Sequence, residues 1–184
     1  MSDGGWKVDR EFLSCTPIFG GLPPEVLDRL IGAANVVEVA SGAQLIGEGE
    51  VARHIFIVCQ GELEILKRGA RGAEVRLAVL RAGDCVGEMP LIDIQPRSAT
   101  VRALSPAVLF RLDHVEIAKL RQADAEIWTL LVLNIAREIS RRLRRADQVL
   151  AEMGVVAQEM WSNEGRATGS VRIPEQVPAP TTAH

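Results

Sequence analysis

Three residues in one short segment, Gly87, Glu88 and Arg97, have the types and the spacing needed to hold a small anion. The guanidinium of Arg97 presents a planar set of donors that matches a phosphate, whereas the carboxylate of Glu88 accepts hydrogen bonds from groups such as a sugar hydroxyl. Gly87 has no Cβ, so a ligand can approach the backbone closely there. Because a carboxylate repels a phosphate, the acid and the base must contact different parts of one ligand. These residues therefore predict a site for a small anionic ligand that carries a sugar.

The sequence around these residues favours the same interpretation. An apolar run with helical spacing, residues 89–92, follows Gly87, and Arg97 and Ser98 open an alternating strand. If the run turns helical, its free N–H groups and the positive end of its dipole face whatever is bound there. A nucleotide whose phosphate and ribose lie side by side meets all of these demands.

The segment from Gly83 to Ala103 resembles the phosphate-binding cassette of cyclic nucleotide-binding domains. That cassette has a glycine and a glutamate, then an apolar pair, and then arginine, alanine, valine and alanine at alternate positions. The matching residues in this chain are Gly87, Glu88, Leu91, Ile92, Arg97, Ala99, Val101 and Ala103. The separation of nine residues between Glu88 and Arg97 is that of the kinase regulatory subunits, and the resemblance extends from about Phe12 to Met153.

The resemblance implies a role for each residue of the predicted site. Arg97 is expected to clamp the cyclic phosphate together with nearby backbone N–H groups, and Glu88 is expected to accept a hydrogen bond from the ribose 2′-hydroxyl. Ser98 favours cAMP over cGMP, because family members with serine or alanine at this position tend to bind cAMP. The predicted ligand-binding residues are Gly87, Glu88, Met89, Arg97, Ser98 and Ala99.

A cover over the base is expected from the C-terminal helix, as in other members of this family. The candidates are Ser140, Arg142 and Arg145, since an arginine can stack on a purine. The five arginines between Arg137 and Arg145 have a second interpretation, as a solvated or partner-facing side of the helix. A nucleic-acid interface is disfavoured because no aromatic platform accompanies them.

Two plainer interpretations of the cassette residues stay open at this point. Arg97 can be a surface arginine paired with Glu88, an interaction worth only about 0–1 kcal/mol. Glu88 can equally be a solvated acid in a turn. Both alternatives require these side chains to be exposed.

Composition and charge are those of an ordinary globular protein. Of the 184 residues 47% are hydrophobic and 24% are charged. The net charge of −3 and the pI of about 5.7 disfavour a protein that mainly coats nucleic acid. The N-terminus lacks a signal-peptide core and no apolar run is long enough to cross a membrane, so a cytoplasmic location is expected.

No set of residues predicts a metal site or a catalytic centre. The three cysteines lack C-x-x-C spacing and the three histidines are isolated from one another. A P-loop, a nucleophile elbow and a hydrolase-like His/Asp cluster are missing as well. We therefore predict binding without catalysis, with no metal and no cofactor other than the ligand itself.

Helical and strand patterns succeed one another along the chain and predict a mainly β, α+β fold. We expect an N-terminal helical segment (1–34), a β-barrel (35–112) that contains the cassette (83–103), C-terminal helices (113–153) and a flexible tail (154–184). Six short strands bounded by turn signals indicate an antiparallel closed or double-sheet architecture. The resemblance implies that this architecture is a jelly-roll barrel.

The C-terminal part predicts two helices, one that starts at Asp113-His114-Val115-Glu116 and a second that Asp124 caps. Apolar residues of the second helix recur in steps of three and four from Ile127 to Met153, a stripe about 40 Å long, and a second side is apolar in the first turns. One side is expected to pack on the barrel and the other on a second copy of the chain. The Pro-punctuated residues after Gly154 predict a tail and not the helix-turn-helix domain of related transcription factors.

The sequence thus favours a stand-alone receptor for a cyclic nucleotide. It is expected to be a homodimer that signals occupancy to an unknown effector protein by moving its C-terminal helices against the barrel. One alternative is a barrel scaffold that binds another ligand or none and acts through its long helix and tail. Another is a truncated DNA-binding regulator.

Overall fold

The computed structural model describes residues 8–51, 53–69, 72–93 and 95–167, with side chains described as far as Met153. Two compact units are distinguished, residues 1–140 and 141–184. Every strand described belongs to the first unit, as do the first three α-helices.

Eight strands are described, and they form two antiparallel four-stranded sheets. The strands are β1 (Asn35–Val39), β2 (Gln44–Ile46), β3 (His54–Gln60), β4 (Leu63–Arg68), β5 (Glu74–Leu80), β6 (Cys85–Val86), β7 (Thr100–Ala103) and β8 (Ala107–Asp113). One sheet has the order β1-β8-β3-β6 and the other has the order β2-β7-β4-β5. This is the predicted jelly-roll barrel. The sequence did not reveal β2 and β6, because strands of three and two residues are too short to show an alternating pattern.

Helices precede and follow the strands. They are α1 (Arg10–Cys15), a 3₁₀ turn (Pro17–Phe19) and α2 (Pro24–Ala33) on the N-terminal side, and α3 (His114–Ala123) and α4 (Ala125–Ala167) on the C-terminal side. The helix α2 begins at Pro24 because proline lacks only an N–H that the first turn leaves unpaired in any case.

Both predicted helix starts are present, but only the second has a side-chain cap. The side chain of Asp124 accepts hydrogen bonds from the backbone N–H groups of Glu126 (2.8 Å) and Ile127 (3.1 Å), as predicted. Asp113 does precede α3, but its side chain makes no capping bond. Its carboxylate instead accepts from Arg111 at 3.2 Å, so the predicted helix start is confirmed but has no side-chain cap.

The prediction that the long helix ends near Gly154 is wrong, because α4 continues to Ala167. A single glycine costs a helix only about 1 kcal/mol relative to alanine, and the residues after it are mostly good helix formers without a proline. The part of the predicted flexible tail from residue 168 onward lies outside the described residues.

The sheet that contains β3 is buried on both faces. A cluster between the two sheets contains Ile46, Phe56, Val58, Leu63, Leu80, Val101, Ala103, Ala107 and Leu109. A second cluster lies between this sheet and the helices and includes Leu13, Phe19, Leu30, Ile55, Ile57, Phe110, Leu112, Ile117, Leu120, Leu131 and Ile135. Burial on both faces explains why β3 is apolar from Ile55 to Cys59 without alternation.

The first part of α4 is anchored to the N-terminal helices and the barrel. Leu131 and Ile135 are fully buried, and burial of a side chain of this size stabilises the fold by roughly 1.5–3 kcal/mol. Asn134 is buried as well and donates to the carbonyl of Gly20 at 2.8 Å, while Arg137 donates to the Asn134 Oδ1 at 3.1 Å. The amide of Asn134 is therefore paired at both of its ends.

We predict that Gly61→Ala destabilises the protein far more than Gly42→Ala does. Both glycines have positive φ, +87° and +80°, which costs an alanine about 1–3 kcal/mol. A Cβ on Gly61 would also collide with the carbonyl oxygen of Pro106 and lie 2.8 Å from the Cα of Ala107, whereas a Cβ on Gly42 would meet nothing within 4 Å. Urea unfolding measures both losses, and equal losses would contradict the packing described for the turn between β3 and β4.

Candidate ligand-binding site

The predicted cassette forms the connection from β6 to β7. The apolar run after Gly87 is a single 3₁₀ turn, Met89–Leu91, and not the α-helical segment that its spacing suggested. Pro90 in this turn fixes its own φ and lacks an N–H, which suits a short turn better than a longer helix.

Arg97 is buried at the centre of this connection, with 6% of its surface exposed. Its Nη2 donates to the carbonyl of His54 at 2.5 Å. Its backbone is fixed on both sides, because its N–H donates to the Glu50 carbonyl and its carbonyl accepts from the Gly49 N–H, each at 2.9 Å. Nε and Nη1 are buried and have no hydrogen-bond partner among the described residues. A surface arginine, the plainer interpretation, does not fit this burial.

Gly87 provides the room for the buried guanidinium. Its φ is +89°, and a Cβ at this position would collide with Nη1 of Arg97 and lie 2.8 Å from the carbonyl oxygen of His54. Glycine is thus required here for its backbone conformation and for the close approach of Arg97.

Glu88 is buried beside Arg97, with 1% of its surface exposed. Burial lowers the pKa of the Arg97 guanidinium, and the negative charges of Glu88 and Glu50 partly offset this effect. A solvated acid in a turn, the plainer interpretation of Glu88, does not fit this burial.

The other predicted cassette residues lie closer to solvent. Met89 and Ser98 are exposed and Ala99 is half-buried. The carbonyl of Ser98 accepts from the Nζ of Lys67 at 2.6 Å, and the same Nζ donates to Glu48 at 2.7 Å. This ion pair on the barrel fixes the orientation of the Ser98 peptide. It involves residues that carry no motif, which is why the sequence did not reveal them.

Two histidines that belong to no motif flank the cassette. The Nε2 of His114 lies 3.1 Å from the carbonyl oxygen of Gly87, and the ring of His54 meets Phe56 edge to face at 4.9 Å between ring centres. Burial lowers the pKa of both imidazoles, and nearby arginines, among them Arg97, lower it further. Isolated histidines gave no signal in the sequence, and only the fold brings them to Arg97.

The predicted base-capping residues all lie on α4. Ser140 and Arg142 are half-buried and Arg145 is exposed. Ser140 belongs to the first compact unit and the two arginines belong to the second. Their contact with a bound base stays a prediction.

Among the described residues, no group of His, Cys, Asp and Glu side chains is arranged to hold a metal ion. In the same part of the chain, the helices are too short or too polar to cross a membrane.

Comparison with known proteins gives the family. Residues 36–124, which include the site around Arg97, match the family model described as "Cyclic nucleotide-binding domain". Residues 36–124 therefore belong to the cyclic nucleotide-binding domain family.

Similar proteins relate this domain to bacterial regulators and to kinase regulatory subunits. The cyclic AMP receptor protein of Thermus thermophilus is 30% identical over 135 residues, which are 72% of this chain and 59% of that protein. The N-terminal domain of a transcriptional regulator from Streptomyces coelicolor A3(2) is 29% identical with a TM-score of 0.62, over 76% of this chain and 94% of that one. The regulatory domain of Toxoplasma gondii PKA, crystallised with cAMP, is 29% identical with a TM-score of 0.57, over 59% and 41% of the two chains. This chain spans 38% to 62% of the length of the first curated relatives that it matches.

Proposed function

We propose that this protein is a receptor that binds cAMP in preference to cGMP and does not act as an enzyme. The observation that carries the proposal is the buried guanidinium of Arg97, in which two nitrogens have no hydrogen-bond partner among the described residues. Burial of such a group costs free energy, so its retention requires a compensating role. A cyclic phosphate supplies both the acceptors and the opposite charge that Arg97 needs.

The surroundings of Arg97 fit the rest of a cyclic nucleotide. Glu88 lies on the same connection and its carboxylate is buried. In this proposal the carboxylate accepts a hydrogen bond from the ribose 2′-hydroxyl. The exposed Ser98 and half-buried Ala99 offer backbone N–H groups to the phosphate, and the exposed Met89 lies at the edge of the site. A buried charge flanked by more exposed residues is the arrangement expected of an anion site that opens to solvent.

The choice of cAMP over cGMP has two supports. Ser98 occupies the position at which the family tends to have serine or alanine when it binds cAMP. Two similar proteins are associated with cAMP: the Thermus thermophilus protein is a cyclic AMP receptor protein, and the Toxoplasma gondii regulatory domain was crystallised with cAMP. Ser140, Arg142 and Arg145 are the proposed cover over the base.

Signalling is proposed to use the C-terminal helices and a second copy of the chain, in the cytoplasm. The helix α3 follows the barrel directly, and α4 is anchored by Leu131 and Ile135. Further along α4, Leu143, Leu150 and Met153 are between 60% and 65% exposed. An apolar stripe of this kind at steps of seven and three suits a second helix.

Arg97→Ala is predicted to weaken cAMP binding by about 2–5 kcal/mol, because it removes the charged partner of a desolvated phosphate. Arg81→Ala is the matched control, since Arg81 is an exposed arginine whose ion pair with Glu62 lies on the barrel surface. Isothermal titration calorimetry with cAMP and cGMP measures the affinities, and circular dichroism confirms that both variants are folded. An unchanged affinity in Arg97→Ala would exclude the clamp. Failure of the wild-type protein to bind either nucleotide would favour the scaffold alternative.

The wild-type protein is predicted to bind 2′-deoxy-cAMP about 1–3 kcal/mol more weakly than cAMP, because the analogue leaves a buried carboxylate of Glu88 without the hydroxyl. In Glu88→Gln the difference between the two nucleotides is expected to shrink. Competition against a fluorescent cAMP analogue measures both differences. Equal binding of the two nucleotides by the wild-type protein would show that Glu88 does not read the ribose.

Light scattering coupled to size-exclusion chromatography is predicted to show a dimer at micromolar concentration. Leu150→Glu is expected to shift it to a monomer, because the substitution places a charge in the proposed helix–helix contact. Val115→Glu on α3 is the control, since Val115 is also exposed, at 59%, but lies outside the stripe. A wild-type monomer at this concentration would remove the dimer from the proposal.

A further inference from the structure

The ring of His114 is joined to the cassette by one directional contact. Its Nε2 lies 3.1 Å from the carbonyl oxygen of Gly87, and a carbonyl oxygen can only accept. The hydrogen of the imidazole must therefore be on Nε2, and Nδ1 is the nitrogen that can gain a second proton. His114 is the first residue of α3 and lies 17 positions after Arg97, outside the cassette.

We propose that His114 is a positioning residue of the phosphate site, which holds the Gly87 peptide beside Arg97 and takes up a proton when the anion binds. The proposal rests on the proposed function, since it needs an anionic ligand at Arg97. It adds a prediction that this function alone does not make, namely that affinity depends on pH near neutrality.

The charges around His114 explain why its proton depends on the ligand. Arg97 from the cassette and Arg53 from the segment before β3 both disfavour an imidazolium, whereas Asp113 at the end of β8 favours it. Burial is the largest effect and lowers the pKa of His114 further, while its bond to the Gly87 carbonyl favours the charged form. In the ligand-free protein the ring is consequently neutral at pH 7.

Binding of a phosphate changes this balance in a definite direction. The anion compensates the positive charge of Arg97, which is one of the groups that disfavour an imidazolium at His114. The pKa of His114 therefore rises when the anion binds. A group with a higher pKa in the complex binds protons on association, and affinity then increases as the pH falls through that pKa. Below the pKa that His114 has in the free protein, the affinity no longer changes with pH. The phosphate diester itself stays anionic throughout this range.

His54 is the nearest competing explanation. The charges that act on the pKa of its ring are those of Arg111 and Asp113 from β8, Arg97 from the cassette and His114 itself. Its side chain, however, has no described hydrogen bond to the cassette, and only its backbone carbonyl accepts from Arg97. A variant of each histidine therefore distinguishes the two residues.

The test is calorimetric titration with cAMP at about pH 6 and about pH 8, in pairs of buffers with different ionisation enthalpies. The wild-type protein is expected to bind cAMP more tightly at the lower pH, by up to about tenfold for each unit by which the pKa rises, with net proton uptake.

His114→Gln keeps a donor for the Gly87 carbonyl but cannot titrate. It is expected to match the wild-type affinity at pH 8 and to lose the proton uptake. His114→Leu, which loses the donor as well, is expected to bind more weakly at both pH values, and His54→Gln is expected to keep the uptake.

Each other result overturns the inference. If cAMP binds with the same affinity at both pH values and without proton uptake, the proposed function stands and the role of His114 is wrong. If His54→Gln removes the uptake and His114→Gln retains it, the proton is on the other histidine. If the wild-type protein binds no cAMP at either pH, the proposed function fails and this inference fails with it.

Discussion

The structure depends on the burial of one positive charge, the guanidinium of Arg97. An arginine with 6% of its surface exposed loses most of its hydration, and only firm contacts can keep it in place. These contacts come from three separate parts of the chain. Backbone bonds to Glu50 and Gly49 fix the main chain of Arg97, the carbonyl of His54 accepts from its side chain, and the missing Cβ of Gly87 leaves room for it. The pairing of β3 with β6 holds two of these parts together.

The same sheet connects the site with the helices. Because one face of β3 packs against the second sheet and the other face packs against α3, α4 and the N-terminal helices, a displacement near His54 reaches both layers. His114 adds a direct polar contact between the cassette and the first residue of α3. Packed layers respond to such a displacement by moving as bodies, since close-packed cores are not continuously deformable. Packed side chains and one polar contact therefore connect the surroundings of Arg97 with the helices.

The ion pair beside the cassette orients the backbone more than it stabilises the fold. The Lys67–Glu48 ion pair is partly exposed, so as an ion pair it stabilises the fold little. The Nζ of Lys67 also donates to the carbonyl of Ser98 and so orients the Ser98 peptide. Stability comes instead from the two apolar clusters, which offset the cost of burying Arg97 and Glu88.

The sequence by itself determined the features that depend on local spacing. Gly87, Glu88 and Arg97 lie within eleven consecutive residues, and the strand patterns and the caps of the helices extend over similarly short distances. The family resemblance followed from these signals, and the jelly-roll architecture followed from the resemblance. The 3₁₀ turn after Glu88, the short strands β2 and β6 and the continuation of α4 past Gly154 did not, because very short elements show no periodicity and one glycine is a weak stop signal. Only the tertiary structure decided that Arg97 and Glu88 are buried and that His54, Lys67 and His114 surround the cassette. Burial and proximity between residues distant along the chain arise from the packing of the two sheets, which no local pattern encodes.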